Sequence, residues 1–481
     1  MDQADHQKNL KKNTVVSIFS LFFQSGYAAI LGLIANLVLT ISLPPATFGI
    51  YILTLSIISF LNYFSDIGLA ASLVQKAEVS DDDIATTFTV QQLLIVSLLI
   101  IAFLVTPVIQ NLYNLPQNAI YLYWALLVAF FLSSLKTIPS IMLERQVQFQ
   151  KIVLVQVVEN TIFYVTVSIL ALAGFDLFSF VYAVLIRAIC GTLLMYYLSF
   201  WMPRFTVNRT SLKGLLSFGL PFQTNTFLAL VKDDLILLYL GKVLGLEALG
   251  YIGWAKRWAE APIRMIMDNI SRILFPIFAR LQHEKDKVSK LTNKILFFQT
   301  MLLAPVYTAM LLLMHFVVEL IPKYNKWEPA LPIFYLLCIS AFLSSYSTPF
   351  INLFNALGKV KISFRYMLYW TVMTWILMPI LTTTYGVNGF AYTLIFLSLT
   401  CFAIMIHAKK YIDLELVKNV VPFILASAIM GVVVFGVEML GVSLLTLIIT
   451  SLVGAAVYLG ILIGILRIPI IHEIRSIFKY E

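Results

Sequence analysis

The sequence predicts an all-α integral membrane protein with about fourteen transmembrane helices. Of its 481 residues, 60% are hydrophobic and only 12% are charged, and the mean hydropathy is +0.91. Water-soluble domains carry roughly twice that share of charged residues. Apolar runs recur from residue 14 to residue 466 without a long polar interruption. Most of the surface must therefore contact lipid, and the chain reads as one membrane domain rather than several soluble ones.

Each apolar run is long enough to cross a bilayer, because about twenty residues at about 1.5 Å rise per residue span the hydrocarbon core. Turn-forming residues separate the runs, among them Pro44-Pro45, Pro116, Gly174, Gly245 and Gly386. The predicted helices lie near residues 14–42, 48–75, 87–110, 118–142, 153–173, 177–201, 214–241, 248–279, 293–320, 329–357, 363–385, 387–408, 420–437 and 443–466.

The distribution of basic residues sets the orientation of these helices. Of the 33 Lys and Arg residues, 24 fall in loops on the side of the N-terminus, six lie inside predicted helices, and three (Lys242, Lys323 and Lys326) lie on the opposite side. Positively charged loops stay in the cytoplasm. Both termini are therefore expected in the cytoplasm, which requires an even number of crossings.

A short internal match indicates two copies of a six-helix unit. The second helix opens with Phe48-Gly49-Ile50-Tyr51 and carries Asp66, and the eighth opens with Leu249-Gly250-Tyr251 and carries Asp268. Six crossings per copy give both copies the same orientation, which predicts an axis along the membrane normal. The predicted organisation is a cytoplasmic segment (1–13), an N-terminal six-helix lobe (14–201), a linker (202–213), a C-terminal six-helix lobe (214–408), an extra helix pair (420–466) and a cytoplasmic tail (467–481).

Charged residues inside the predicted helices are the leading functional candidates. A charge at mid-membrane costs from about 3 to more than about 10 kcal/mol, so it normally faces a partner or a water-filled cavity. The bases are Arg187, Lys232, Lys256, Arg257, Arg264 and Arg272, and the acids are Asp66, Glu159, Asp233, Asp234, Glu260 and Asp268.

The eighth helix carries the densest set of these charges. Lys256, Glu260, Arg264, Asp268 and Arg272 follow one another at intervals of four with alternating sign. This spacing places neighbours on adjacent turns and predicts intrahelical ion pairs along a stripe that cannot face lipid. Two interpretations are open: the pairs only neutralise one another while packing the bundle, or the stripe lines a polar path. Arg272, like Lys136 at the end of its own helix, is also close enough to the cytoplasmic face to extend its charge into water.

Other chemistries find little support in the sequence. The five histidines are scattered without metal-ligand spacing, and no phosphate-binding loop or nucleophile elbow occurs, so we expect no metal, no cofactor and no catalytic residue. The net charge of +9 resides in short loops rather than in a basic patch, which argues against a nucleic-acid partner.

Several stretches resemble one family of membrane transporters. In the second helix these are Phe48-Gly49-Ile50-Tyr51 and residues 64–75 (FSDIGLAASLVQ), and the others are residues 143–149, 216–221, 233–238, 249–251 and 271–282. Their order is similar to that of the polysaccharide transporter family, flippases for polyprenyl-diphosphate-linked oligosaccharides in the superfamily that includes multidrug exporters. The resemblance covers most of the chain. It implies two six-helix lobes around a central cavity that opens alternately to each side, with an extra helix pair. Asp66 and one of Asp233 or Asp234 match acidic positions of the family pattern.

We therefore expect a flippase in the bacterial cytoplasmic membrane that exports lipid-linked oligosaccharide units for surface polysaccharide synthesis. Its partners would be the polyprenyl-diphosphate-linked glycan, membrane lipids, and a polysaccharide polymerase with chain-length proteins. A cationic path suits a diphosphate, whose isoprenoid tail can remain in lipid. The candidate head-group ligands are Lys256, Arg257, Arg264, Arg272, Arg187 and Lys232, and the candidate ion-coupling or gating residues are Asp66, Asp233, Asp234, Glu260 and Asp268.

Three alternatives compete with this expectation. A cation-coupled multidrug antiporter would share the fold but would need an anionic cavity for cationic drugs. A flippase for a lipid-linked peptidoglycan precursor differs in substrate alone. A membrane polysaccharide polymerase would be an enzyme. Proteins of that kind typically have a large external loop, whereas the longest external connection here is only about residues 319–329.

Overall fold

The computed structural model describes residues 3–439, 441 and 443–468, and throughout this part of the chain the secondary structure is helical, with no strand. A 3₁₀ segment, Asn325–Ala330, and a π-helical turn, Ile461–Ile465, accompany the α-helices. In chain order the α-helices are α1 (Gln3–Ser42), α2 (Pro45–Asp66), α3 (Leu69–Gln75), α4 (Asp81–Leu104), α5 (Thr106–Tyr113), α6 (Gln117–Leu135), α7 (Thr137–Arg145), α8 (Phe149–Leu172), α9 (Leu177–Leu198), α10 (Arg209–Asp233), α11 (Leu235–Leu244), α12 (Leu246–Leu281), α13 (Lys285–Leu320), α14 (Leu331–Ser345), α15 (Ser347–Ala356), α16 (Val360–Tyr385), α17 (Val387–Ser398), α18 (Thr400–Ala408), α19 (Leu416–Asn419), α20 (Val421–Glu438) and α21 (Leu444–Gly460).

The predicted all-α membrane fold is confirmed. Within the described residues, twelve helical segments are long and apolar enough to cross a membrane. Two predicted crossings are not among these twelve. The one predicted at residues 214–241 corresponds to α10 followed by α11, and the one predicted at residues 248–279 corresponds to α12. These two contain many of the charges noted in the sequence, which lower their hydropathy. The protein is therefore a multi-pass membrane protein, and the predicted count of about fourteen helices agrees with its segments.

Some helices begin earlier than their apolar runs predict. α4 begins at Asp81 rather than at residue 87, because the Ser80 hydroxyl accepts the Asp83 N–H while the Asp83 carboxylate accepts the Ser80 N–H. α13 likewise begins at Lys285, eight residues before its predicted start. Hydropathy identifies only the apolar part of a helix. It therefore does not predict a first turn made of polar residues.

The chain forms two compact units, unit 1 (Met1–Gly253) and unit 2 (Trp254–Glu481). In unit 1, α8 packs against both α1 and α9, and α6 packs against α9. α10 and α11 belong to unit 1 as well, where they pack against α3 and α2. The division into six-helix lobes at residues 202–213 stays a prediction.

Two glycine contacts bring the repeated motifs of unit 1 against each other. A Cβ on Gly49 would lie 1.7 Å from the Leu246 carbonyl oxygen, and one on Gly250 would lie 1.9 Å from that of Pro45. The starts of α2 and α12 therefore touch backbone to backbone. Only a residue without a side chain permits such an approach.

At the other end of α2, the chain turns before it enters α3. Ile67 and Gly68 both adopt left-handed conformations, and a Cβ on Gly68 would lie 2.3 Å from the Gly219 carbonyl oxygen in α10. The Ser72 hydroxyl donates to the Leu215 carbonyl at 2.7 Å. α3 is thereby fixed along α10.

Arg145, within one of the stretches that resemble the family, caps the end of α3. Its guanidinium donates to the carbonyl oxygens of Leu73 at 2.7 Å and of Ala77 at 3.0 Å, with further bonds to Val74 and Lys76. Cations at a helix C-terminus satisfy its unpaired carbonyls and its dipole.

Unit 2 has its core around α13, α15 and α18, where Phe350, Phe354 and Ile404 are completely buried. The final helices α20 and α21 pack against α13, and the Tyr458 hydroxyl donates to the Met301 carbonyl at 2.8 Å. The extra pair is thus held to unit 2 by a specific polar contact within an apolar interface.

Candidate functional site

Unit 1 contains a cavity of about 590 Å³ whose wall combines acidic and neutral polar side chains. Asp66, Asp233 and Asp234 all line it. These three carboxylates, from two separate predicted helices, are the ion-coupling or gating residues that the sequence predicts. In the structure all three carboxylates line this one cavity, and their role in ion coupling or gating stays a prediction.

Asp66 is held in place by the turn that ends α2. Its carboxylate oxygens accept the backbone N–H of Ala70 at 3.0 and 3.2 Å. This bond uses the free N–H groups at the start of α3, where a negative charge is stabilised. The left-handed residues Ile67 and Gly68 reverse the chain so that the carboxylate can reach that helix start.

Asp233 and Asp234 lie where α10 gives way to α11. Lys232 pairs with Asp233, with 3.1 Å between its Nζ and Oδ1. Lys232 was a candidate head-group ligand, and here it compensates one carboxylate of the cavity. With three carboxylates and one paired ammonium group, the cavity favours cations rather than phosphate.

Gln91 and Thr137, which are not among the residues predicted from the sequence, also line this cavity. The Gln91 Nε2 donates to the Thr137 hydroxyl at 3.1 Å, whereas its Oε1 has no hydrogen-bond partner among the described residues. The sequence does contain a signal for this position, the two adjacent glutamines Gln91 and Gln92 inside an apolar run, but neither carries a charge.

The charged stripe of α12 lies in unit 2, and its predicted ion pairs are confirmed where the structure describes them. Glu260 lies 3.8 Å from the Lys256 Nζ and 2.8 Å from the Arg264 Nη2. The side chain of Arg264 is 65% exposed, and Arg257 is exposed as well. The side chains of Asp268 and Arg272 lie outside the described residues.

Packing on the other side of α12 fixes this stripe in place. Trp254 is buried, donates to the Tyr324 hydroxyl at 3.0 Å and stacks on Trp327 at 5.6 Å between ring centroids. The Tyr307 hydroxyl donates to the Ala259 carbonyl at 2.8 Å, one turn before Pro262. With these groups buried, α12 presents Lys256, Glu260 and Arg264 away from the core of unit 2.

Three further charged residues of unit 1, Arg187, Lys136 and Glu159, make structural contacts between helices. Arg187 lies over the ring of Phe163, 5.6 Å from its centroid, so this candidate head-group ligand makes a cation–π contact between α9 and α8. Lys136 forms an ion pair with Glu159, and both side chains are largely buried. The prediction that Lys136 extends toward water is therefore wrong. The Glu159 carboxylate of α8 receives its ammonium group instead, and Gly191 leaves room for that carboxylate.

The fold and these sites define the class of protein. It is a multi-pass, all-α membrane protein whose membrane helices carry clusters of charged and polar side chains. The fold is similar to that of the lipid II flippase MurJ in an inward closed conformation, with a TM-score of 0.74, 14% identity, and coverage of 94% of this chain and 100% of that one. It is also similar to an inward-facing multidrug resistance transporter of the MATE family, with a TM-score of 0.62, 15% identity, and coverage of 81% and 95%.

The chain belongs to the polysaccharide biosynthesis protein family, whose model matches residues 38–332. The lipopolysaccharide biosynthesis protein WzxC of Escherichia coli is 24% identical over 71% of this chain and 70% of its own length. The succinoglycan biosynthesis transport protein ExoT of Rhizobium meliloti is 22% identical over 69% and 67%. The teichuronic acid biosynthesis protein TuaB of Bacillus subtilis is 21% identical over 63% and 62%.

Proposed function

We propose that this protein is a flippase that moves polyprenyl-diphosphate-linked oligosaccharide units across the bacterial cytoplasmic membrane for surface polysaccharide synthesis. It moves its substrate by alternating access, without covalent change, and both termini lie in the cytoplasm. Membership in the polysaccharide biosynthesis family supports this proposal, as do relatives named for lipopolysaccharide synthesis and succinoglycan transport. A polymerase and chain-length proteins would receive the exported units.

The observation that carries the proposal is the exposed, charged stripe of α12. Lys256, Glu260 and Arg264 form a continuous set of ion pairs, and Arg257 adds a further cation. A guanidinium with 65% of its side chain exposed is expected to face water, because lipid contact would cost several kcal/mol, on the order of 3 or more. Guanidinium groups bind phosphate oxygens through paired N–H donors. The stripe therefore suits a diphosphate head group.

The test is removal of the Arg264 charge. Each charge-assisted hydrogen bond contributes about 1.5–3 kcal/mol, so Arg264→Ala should lower surface-polysaccharide output by about ten- to a hundredfold at unchanged membrane abundance. Arg264→Lys keeps the charge but loses the paired donors, and it should retain an intermediate output. The measurements are polysaccharide output in cells and transfer of a lipid-linked oligosaccharide in proteoliposomes.

A matched control is available in a polar segment of unit 2. Lys287→Ala removes a 58% exposed cation that pairs with Glu284 near the start of α13, and it should leave output unchanged. Full output from Arg264→Ala at normal abundance would show that the head-group role of this residue is wrong.

The acidic cavity of unit 1 favours one second candidate, a cation-coupled multidrug antiporter. Asp66, Asp233 and Asp234 would suit an organic cation better than a diphosphate. Accumulation of fluorescent cationic dyes separates the two functions. A flippase leaves dye accumulation unchanged when the protein is expressed, whereas an antiporter lowers it.

A further inference from the structure

Residues 199–208 form a strap that connects α9 to α10 in unit 1. We propose that the outer side of this strap is inserted into one leaflet of the bilayer, at the boundary between head groups and acyl chains. Its partner is the lipid surface itself, held by apolar contact rather than by lipid charge. In the orientation proposed above, this is the cytoplasmic leaflet. Neither the contact nor its test depends on the substrate that the protein moves.

The inner side of the strap is bound along the start of α4, and the strap itself has no regular secondary structure. The Thr206 N–H donates to the Thr89 hydroxyl at 3.0 Å, and the Asn208 N–H donates to the Thr86 hydroxyl at 2.9 Å. The Asn208 side chain also donates to the Asp82 carboxylate at 2.9 Å. These contacts fall on alternate residues, as in an extended strand, so the residues between them face outward.

The outer side of the strap is apolar and exposed. Phe200 is 80% exposed, and Met202 and Phe205 are each 74% exposed. Trp201 lies between the first two in the chain and packs inward on the buried Phe88, with 4.9 Å between the ring centroids. Large apolar side chains that are exposed side by side mark a contact surface. The outer side of the strap therefore requires an apolar partner.

The lipid-facing side of α9 continues into the strap. α9 is long and apolar enough to cross a membrane. Exposed apolar side chains recur along it at intervals of three or four residues, the period of one helix face. They are Tyr182, Ile186, Ile189, Leu193 and Tyr197. Phe200 follows Tyr197 after three residues, so the same row leaves the helix and enters the strap. The lipid that covers this row therefore also reaches the strap.

A connection in unit 2 is braced in a similar way but has a different outer side. It comprises residues 409–415, between α18 and α19. The Asp413 N–H donates to the Ser289 hydroxyl at 3.0 Å, and the Glu415 N–H donates to the Asn293 side-chain oxygen at 2.9 Å. Its exposed side chains are all charged, namely Lys409, Lys410, Asp413 and Glu415. An apolar outer side is therefore a property of the strap and is not required for bracing a connection along a helix.

The charges beside the strap balance one another. Within residues 76–83 and 204–213, the basic side chains are Lys76, Arg204, Arg209 and Lys213, and the acidic ones are Glu78, Asp81, Asp82 and Asp83. Arg204 pairs with Asp81 at 3.6 Å, and Lys76 pairs with Asp83 at 2.6 Å. A surface without net charge gains little from anionic head groups, so burial of the apolar side chains supplies the attraction.

The experiment measures membrane depth at single positions of the full-length protein in lipid nanodiscs, with no lipid-linked substrate present. A nitroxide is attached to one introduced cysteine in a background that carries Cys190→Ala, Cys338→Ala and Cys401→Ala. Its collisions with oxygen, which concentrates in lipid, are compared with its collisions with the water-soluble complex nickel ethylenediaminediacetate.

Two strap positions are matched to two references. Met202→Cys and Phe205→Cys report on the strap, Leu193→Cys on the lipid-facing row of α9, and Lys410→Cys on the charged connection of unit 2. All four replaced side chains are exposed, so the labels leave the core intact. A second measurement keeps the native cysteines: Phe205 is replaced by the photocrosslinker benzoylphenylalanine, and the mass of the attached molecule is determined.

At both strap positions, the ratio of oxygen to nickel collisions should be several times that at Lys410 and below that at Leu193. The ratio should be the same in phosphatidylcholine alone and with phosphatidylglycerol added, and the photocrosslinker should attach one phospholipid.

Three results would overturn the proposal. Nickel collisions as frequent as at Lys410 would place the strap in water, free for a protein partner. Rare collisions with both reagents, together with a crosslink to protein, would show that protein covers it. Membrane depth that appears only with phosphatidylglycerol would show that lipid charge holds the strap. Each of these results leaves the flippase proposal intact, because transport is not measured.

Discussion

A kinked helix recurs in the two units. In unit 1, Lys136 lies between the end of α6 and the start of α7, and its backbone N–H donates to the Ser133 carbonyl at 3.2 Å. In unit 2, Tyr346 lies between the end of α14 and the start of α15, and its N–H donates to the Leu343 carbonyl, also at 3.2 Å. Both kinks keep the chain helical through a single tighter turn.

Each kink is also braced by a buried glutamine from an earlier helix. Gln91 donates to the Thr137 hydroxyl at 3.1 Å, and Gln299 donates to the Ser345 hydroxyl at 2.8 Å. The two partners are 46 residues apart in both cases. The two units therefore contain the same backbone joint with the same side-chain brace, a likeness that the short motif matches in the sequence did not include.

The surroundings of the two joints differ. In unit 1, Lys136 pairs with Glu159, and Gln91 is one of the residues that line the cavity containing Asp66. In unit 2, Tyr346 shares a neutral hydrogen bond with Thr300 at 2.7 Å and packs in the hydrophobic core. The first joint is therefore charged and borders a polar cavity, whereas its counterpart is neutral and lies in the hydrophobic core.

The largest effect should come from breaking the charged pair of the first joint. Lys136→Met leaves the Glu159 carboxylate buried without its partner, and it should destabilise the protein by about 3–5 kcal/mol. The measurement is the thermal midpoint in detergent together with membrane abundance. The double variant Lys136→Met/Glu159→Leu removes both charges and should recover most of the loss. An unchanged midpoint in the single variant would contradict the assignment of a structural ion pair.

A smaller effect should follow from filling the space beside that pair. A Cβ on Gly191 would lie 1.7 Å from the Glu159 Oε1, so Gly191→Ala must displace the carboxylate. Overpacking of this kind costs about 1–3 kcal/mol. Gly214→Ala is the control, because nothing lies within 4 Å of its added Cβ. Equal midpoints for the two variants would mean that Glu159 can move without loss.

The smallest effect is expected at the neutral joint of unit 2. Tyr346→Phe deletes one hydroxyl, while Thr300 keeps its own bond to the Leu296 carbonyl at 2.7 Å. Loss of a neutral hydrogen bond costs about 1 kcal/mol. The thermal midpoint should therefore fall much less than in Lys136→Met. A loss of similar size in both variants would remove the distinction between the two joints.

The candidate site was only partly predictable. Asp66, Asp233 and Asp234 were singled out because charges in apolar runs are visible in the sequence, but their shared cavity depends on how α2 packs with α10. Gln91 is uncharged, and in the sequence only its place beside Gln92 inside an apolar run sets it apart. Arg187 and Lys232 were chosen for the right physical reason, yet the structure gives them Phe163 and Asp233 as partners.

The sequence by itself determined the membrane class, the order of the apolar segments and the alternating charges of α12. These properties depend on composition and on the period of the helix, which are local. Only the tertiary structure decided which side chains meet: Lys136 with Glu159, Gln91 with Thr137, and the cavity carboxylates with one another. Such meetings depend on helix crossings set by close backbone contacts, such as that of Gly68 with Gly219, and no local period specifies them.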